Sequence, residues 1–284
     1  MKKIIMTIAC IASTILGFAQ IENINASKDS SVTVTKLYGG ILSGTSFNVD
    51  SMHTTNFVNI QLGAEAIWKV NKYIAVKAME SFHSDINSQY GLTHFYLRLT
   101  PSKLFTIQVG QMATLSTEQR PHPVTAAGQF ETFSEAQIPG AAPGIKMNVN
   151  PTSDISIGLG AAVRKRDAEY HANFKFKKFV MSGYYSMNSQ KGGAQASWNG
   201  KKVYDTFVWK QDEVVANILC INIFPDKLNL TLYGDFGYDL KKNEVVRSED
   251  GILKNFKFKQ VKGLYGVGYQ HEKKAVNVYL WLHF

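Results

Sequence analysis

The residues His83-Ser84-Asp85 set an imidazole, a hydroxyl and a carboxylate side by side, and His53 stands in a second polar stretch. Serine hydrolysis needs the hydroxyl within hydrogen-bond reach of a base that a third polar group orients. Both stretches are isolated, and with seven histidines in the chain a serine neighbour is expected by chance. No His, Cys, Asp or Glu cluster has metal-ligand spacing. No glycine-rich phosphate loop precedes a helix, and no cofactor is implied. A larger set carries charge and hydrogen-bonding capacity without the spacing of a catalytic centre. It comprises Asn59, Gln61, Glu65, Lys69, Lys77, His94, Arg98, Gln108, Lys146, Arg164, His171 and Lys175, with Asp235 opposing them. Its balance is basic. Lining a water-filled cavity, such side chains would concentrate small anions; the plainer reading is that they only solvate its wall.

What could hold these residues on one wall is a strand. Val58, Ile60, Leu62, Ala64, Ala66, Trp68 and Val70 alternate with Asn59, Gln61, Gly63, Glu65 and Lys69, with Ile67 alone out of pattern. Leu228 to Leu240 repeats the design, with Asn229, Thr231, Tyr233, Asp235 and Asp239 on the polar face. Ile145, Met147 and Val149 alternate with Lys146, Asn148 and Asn150. Ile155 to Val163 alternates with Ser156 to Arg164, and Tyr170 to Phe176 with Glu169 to Lys175. Successive side chains on a strand point to opposite faces, so each segment reads as a strand with one wet and one apolar side. Val214 to Ile223 alternates less cleanly, which predicts a bulge there.

The beginning of the chain has another purpose. Lys2 and Lys3 precede the apolar run Ile4 to Leu16, and Gly17-Phe18-Ala19 is a small-x-small site. This is the layout of a secretory signal peptide, cut before Gln20. The run is too short for a bilayer span, which takes about 20 residues. Cleavage leaves residues 20–284, removes Cys10 and two lysines from a formal charge of +9, and leaves Cys220 alone. A disulfide-stapled domain is thereby excluded. The scattered lysines and the extracytoplasmic setting argue against a nucleic-acid partner.

Alternation also occurs in soluble sandwiches, but three signals point to a membrane barrel. Tight turns at Asn71-Lys72, Pro101-Ser102-Lys103, Pro151-Thr152-Ser153, Lys177-Lys178 and Pro225-Asp226-Lys227 alternate with longer polar stretches at 113–137, 188–202 and 241–251. Short turns at one end and long loops at the other mark outer-membrane barrels. Trp68, Tyr73, Phe105, Phe174, Phe176, Phe179 and Phe224 gather beside the tight turns, where interfacial girdles lie. Finally, Val276, Val278, Leu280, Leu282 and Phe284 share one face of the last segment. This ending resembles the C-terminal strand that the outer-membrane insertion machinery reads; in a soluble protein it would be an aggregation-prone edge. In lipid only helices and closed barrels satisfy the backbone, and no later segment is apolar enough for a spanning helix.

The expected fold class is all-β: a single domain, 20–284, forming a membrane-spanning antiparallel up-and-down β-barrel. At roughly 20 residues per strand and connection the chain has about 12–14 strands. Even parity raises a conflict at His271-Glu272-Lys273-Lys274. Either that is an external loop, with a further turn near Gln260 to Gly263, or one strand is misplaced.

The stretch from Phe105 to Val149 carries a family resemblance. Val109-Gly110-Gln111 ends a strand, and a polar loop with Ser116, Glu118, Gln119 and Arg120 follows. Pro139-Gly140 and Pro143-Gly144 then open the next strand. This order resembles the phosphate-selective porin O and P family. The resemblance implies a loop, Ala113 to Ile138, that folds into the barrel and narrows it, with Glu118, Arg120 and His122 facing the pore. The chain is shorter than that family's barrel and has no run of inward arginines, so phosphate selectivity is not implied. The expected function is a porin-like channel in the bacterial outer membrane for small polar solutes, anions included. A non-conducting structural or surface barrel is the alternative, and a barrel lipid hydrolase a weaker one.

Overall fold

A computed structural model describes residues 32–69, 73–83, 89–113, 141–164, 166–223, 229–258 and 261–283. Among them run 16 antiparallel strands that close on themselves. The first eight are β1 (Val32–Asn48), β2 (Thr54–Lys69), β3 (Ile74–His83), β4 (Gln89–Ser102), β5 (Phe105–Ala113), β6 (Ala141–Val149), β7 (Ile155–Arg164) and β8 (Asp167–Phe176). The rest are β9 (Phe179–Ser186), β10 (Lys191–Asn199), β11 (Val203–Lys210), β12 (Val214–Ile223), β13 (Leu230–Asp239), β14 (Glu244–Phe258), β15 (Val261–Gln270) and β16 (Ala275–His283). Each strand pairs with its neighbours in sequence, and β1 pairs with β16 from Gly40↔His283 to Asn48↔Ala275. Closure leaves no open edge, so the apolar terminal strand that would aggregate in an open sheet has both ladders filled.

The sheet is inside out relative to a soluble protein. Its large apolar side chains are exposed: Leu159 at 56%, Val267 at 50% and Val278 at 49% of their accessible surface. An apolar patch this continuous is stable only against lipid or another protein. Aromatic rings frame it at both ends. Trp68, Tyr73, Phe176 and Trp198 ring the end where β1 begins, here termed proximal; Tyr170, Tyr185, Trp209 and Tyr269 ring the distal end, all of them exposed. Rings there sit at headgroup depth.

Sixteen strands replace the expected 12–14, for a physical reason. The polar stretch 188–202 contains β10, Lys191-Gly192-Gly193-Ala194-Gln195-Ala196 onward, whose small residues produce no apolar alternation. Its strand character comes from its pairing with β9 and β11 over its whole length. The stretch 241–251 belongs largely to β14, which carries polar residues on both faces at the distal end. Connections are correspondingly short: β8 and β9 are joined across Lys177 and Lys178, β11 and β12 across Gln211 to Glu213. The contrast between short and long ends therefore does not hold for 188–202 and 241–251. The parity conflict resolves in favour of a distal turn at His271 to Lys274, with the chain reversing between Phe258 and Val261. The predicted bulge in Val214–Ile223 is absent. β12 pairs without a register shift on both sides. Its alternation is blurred because Val214, Ala216, Ile218 and Cys220 face an apolar buried layer inside the barrel, while Asn217 lies on the outer face.

At the distal rim, Lys274 Nζ donates to Asp50 Oδ2 at 2.7 Å and Asn48 Nδ2 to the Lys273 carbonyl at 2.6 Å, clasping the β1–β2 and β15–β16 turns. The hydrogen bond and charge of Asp50 hold the Lys274 ammonium above the usual lysine range. A raised cation contributes stability that is intact at neutral pH and lost as pH rises through the raised value. Both side chains are exposed, so the contribution is small. Amide exchange at Val49 is therefore expected to stay constant from pH 6 to 9 after correction for intrinsic rate, and to quicken above about 10.5. A Lys274→Ala variant that loses no protection at neutral pH would remove the clasp from consideration.

Candidate functional site

Two-residue periodicity turns one face of every strand into the barrel interior, and the two halves of that interior differ. Along β11 to β16 it is packed. Tyr204, Ile218, Cys220, Tyr233, Leu253, Leu264 and Tyr279 form one buried apolar cluster, and Val208, Val214 and Ala216 another. Into the first is set an ionic network. Glu249, 1% exposed, accepts hydrogen bonds from the hydroxyls of Tyr233 at 2.5 Å and Tyr279 at 2.6 Å. It also accepts from Asn277 Nδ2 at 3.2 Å and Arg247 Nη2 at 2.9 Å. Arg247 Nε lies 2.6 Å from Asp235 Oδ2 as an ion pair, without hydrogen-bond alignment. One guanidinium thus compensates two buried carboxylates, and phenol and amide donors saturate the second. Gly268 makes the room: a Cβ there would collide with the Tyr233 hydroxyl and stand 2.5 Å from Glu249 Oε1.

The β4 to β8 side is different. A hollow of about 390 Å³ opens there toward the proximal end. Its charged lining among the described residues is Arg98 from β4, Lys146 from β6 and Lys175 from β8, with no carboxylate among them. Carboxamides line it at Gln108, Asn148, Asn150 and Asn173, and hydroxyls at Thr100, Thr106 and Ser156. Register explains the convergence. Arg98 pairs with Gln108, Gln108 with Lys146, and Thr106 with Asn148. Across β7, Asn148 pairs with Gly158 and Gly158 with Asn173. The β7 interior positions Ser156, Gly158 and Gly160 are small; Ser156 lines the hollow, and the Asn148 and Asn173 side chains reach over Gly158. A Cβ on Gly158 would stand 2.5 Å from Asn148 Oδ1 and 3.3 Å from Asn173 Nδ2; glycine is what lets the two carboxamides meet. On β5, Gly110 adopts a φ of +136°, where a side chain would strike the Phe95 carbonyl, a conformation that favours glycine.

The sequence-derived lining residues distribute unevenly. Arg98, Gln108, Lys146 and Lys175 meet in the hollow, as does the polar-face residue Asn173. Lys77 lies one register step away, its Nζ 6.0 Å from the Tyr96 ring centroid. Lys69 is exposed at the end of β2. Arg164 is committed elsewhere, donating from Nε to both Glu169 oxygens at 3.1 Å. His171 is buried 3.5 Å from Glu169 Oε2 and tilted against Tyr184. His94 is half-buried on β4 beside Tyr96. Asn59, Gln61 and Glu65 occupy register positions opposite Leu42, Gly40 and Lys36 of β1. Asp235 does not oppose the cations across open water; it is held by Arg247. Arg247 and Glu249 escape a sequence reading because they fall in the stretch that resembles a loop. Asn148, Asn150 and Ser156 share the alternation parity of Lys146 and Arg164, and that parity identifies them.

Glu118, Arg120 and His122 lie outside the described residues, as do Ser84, Asp85 and Phe224. His83 ends β3, opposite Gln61 and Gln89, and His53 is exposed in the β1–β2 turn, its carbonyl accepting from the Asn48 amide. Among the described residues no group of three or more His, Cys, Asp or Glu is placed to hold a metal ion.

No family model matches the chain, and no curated protein does. Solved structures do. The high-pH structure of Pseudomonas putida OprB is similar with a TM-score of 0.66 at 10% identity, covering 90% of this chain and 94% of that one. Salmonella typhi OmpF, solved with daunomycin, gives 0.59 at 10% identity over 90% and 98% of the two chains. A mutant of the Rh. blastica porin gives 0.56 at 10% identity over 89% and 99%. At such identities the likeness speaks for the fold, and it extends over nearly the whole of each chain: the protein has the porin-type closed antiparallel barrel.

Proposed function

We propose that the protein is an outer-membrane channel through which small polar solutes diffuse passively, with a preference for anions. The observation that carries the reading is the pairing of an apolar, aromatic-framed exterior with an interior hollow lined, among the described residues, by Arg98, Lys146 and Lys175 and no acid. Lipid requires the first, and water-filled passage accounts for the second. In the same reading residues 1–19 are the export signal. The proximal end, with the start of β1 and the end of β16, faces the periplasm, and the terminal strand ending at Phe284 is what the insertion machinery engages. Passage requires no chemistry, and no catalytic role is assigned. The resemblance to the phosphate-selective O and P porins adds a narrowing role for residues 113–138, including Glu118, Arg120 and His122.

The packed β11–β16 interior favours a second reading, a barrel closed to solutes. Recordings in a planar bilayer under a KCl gradient separate the two. A channel gives stable conductance steps and a reversal potential displaced toward the chloride equilibrium. A folded, heat-modifiable protein that passes no current is the closed barrel, and a reversal potential of the opposite sign defeats the anion preference.

A further inference from the structure

We infer that the hollow over β7 is a recognition subsite for polyhydroxylated organic anions, of which a sugar carboxylate is the simplest form. The inference rests on the channel reading, because the hollow is reached along the lumen. It goes beyond charge selection, which cations alone would supply.

Shape is the first argument. On β7 the small Ser156 lines the floor, while Lys146 and Asn148 on one side and Asn173 and Lys175 on the other stand up as walls. At about 390 Å³ the hollow lies within the range of small-molecule sites, far larger than a bare chloride needs. Chemistry is the second argument. Lysine and arginine only donate, whereas a carboxamide both donates and accepts, as does a hydroxyl. The lining therefore supplies positive donors beside several neutral acceptors. An anion without hydroxyls engages the former and offers the latter nothing to accept. A neutral sugar does the reverse. A ligand with one carboxylate and several hydroxyls satisfies both sets, and a site built around hydroxyl partners discriminates against analogues lacking them. The third argument is convergence. Five consecutive β-strands, β4 to β8, contribute the polar groups, and Gly158 leaves room for two of the carboxamides over β7.

The test is calorimetric titration of the full folded chain in detergent with sodium glucuronate, glucose and inorganic phosphate in turn, with bilayer conductance measured on the same preparation. Glucuronate is expected to bind at least about tenfold more tightly than either comparator. Asn173→Ala and Lys175→Gln should each weaken glucuronate, the first also erasing its advantage over phosphate and the second its advantage over glucose. Gly158→Val, whose side chain would displace the Asn148 and Asn173 carboxamides, should abolish binding; if that variant fails to fold, Asn148→Ala tests the same wall. Equal affinity for glucuronate and phosphate overturns the proposal in favour of simple charge attraction. A conducting protein that binds no glucuronate overturns it while leaving the channel intact. Saturable glucuronate binding by a protein that does not conduct keeps the subsite and removes the channel.

Discussion

Arg247→Ala is expected to destabilise the barrel more than any other single substitution inside it. Arg247 is the one cation that the buried Asp235 and Glu249 share, at 2.6 and 2.9 Å. Removing it leaves two carboxylates, 2% and 1% exposed, in an apolar layer with Ile218, Leu253 and Tyr233. Breaking a buried ion pair from one side costs roughly 3–5 kcal/mol, most of it from the charge left behind. Here two charges remain, and Glu249 keeps only neutral donors, the Tyr233 and Tyr279 phenols and the Asn277 amide. The readout is the temperature at which the folded, fast-migrating band on an unheated gel gives way to the unfolded one. That temperature should fall sharply, or the folded band should be missing. A triple variant that also carries Asp235→Asn and Glu249→Gln removes the stranded charges and should recover much of the loss. An Arg247→Ala barrel as heat-resistant as the parent would show that the network sits in a wetter setting than its burial indicates.

Reversing the charge of the hollow is expected to reverse the channel's ion preference. In the double variant Arg98→Glu with Lys146→Glu, two positive charges in neighbouring register become two negative ones. A unit charge about 10 Å from a permeating ion, at an effective dielectric near 20, interacts by about 1.7 kcal/mol. That exceeds the 1.4 kcal/mol of a tenfold preference, so two reversals suffice to invert the sign. Salt decides whether this is seen, since the screening length is about 10 Å at 0.1 M and about 3 Å at 1 M. The reversal potential should therefore change sign at low salt and converge on the parent's at high salt. Lys69→Glu should act in the same direction but more weakly, because Lys69 is exposed at the strand end. An unchanged reversal potential at 0.1 M would mean that the hollow lies off the path of ions.

Much of the fold is legible along the chain because a barrel immersed in lipid writes its two environments into a two-residue period. Val58 to Lys69, Ile145 to Val149, Ile155 to Arg164 and Leu230 to Asp239 all lie on strands with their apolar set outward where the side chains are described. Legibility fails where one of the environments changes. β10 has small residues on both faces, so its pattern vanishes although its hydrogen bonds do not. β12 is apolar on its interior side, which meets a packed layer rather than water, and carries Asn217 on its outer side, so neither side reads cleanly. β14 is polar on both faces at its distal end, where Arg247 and Glu249 point inward and Asp250 pairs with His271 at 3.0 Å on the rim. Misreading these as loop or bulge accounts for the shortfall in strand number.

The sequence by itself therefore determined the fold class and the parity of the lining residues on the strands that alternate. Each follows from local alternation and from the composition of a few residues around a turn. It could not determine closure, register or which cations remain free. Arg98 and Arg164 are equivalent in a list of polar-face residues, yet Arg98 lines the hollow while Arg164 is held by Glu169, and Arg247, outside that list, is held by Asp235 with Glu249. That distinction depends on which residue of the neighbouring strand stands opposite, a matter of inter-strand register, and register is decided only when all the ladders close together.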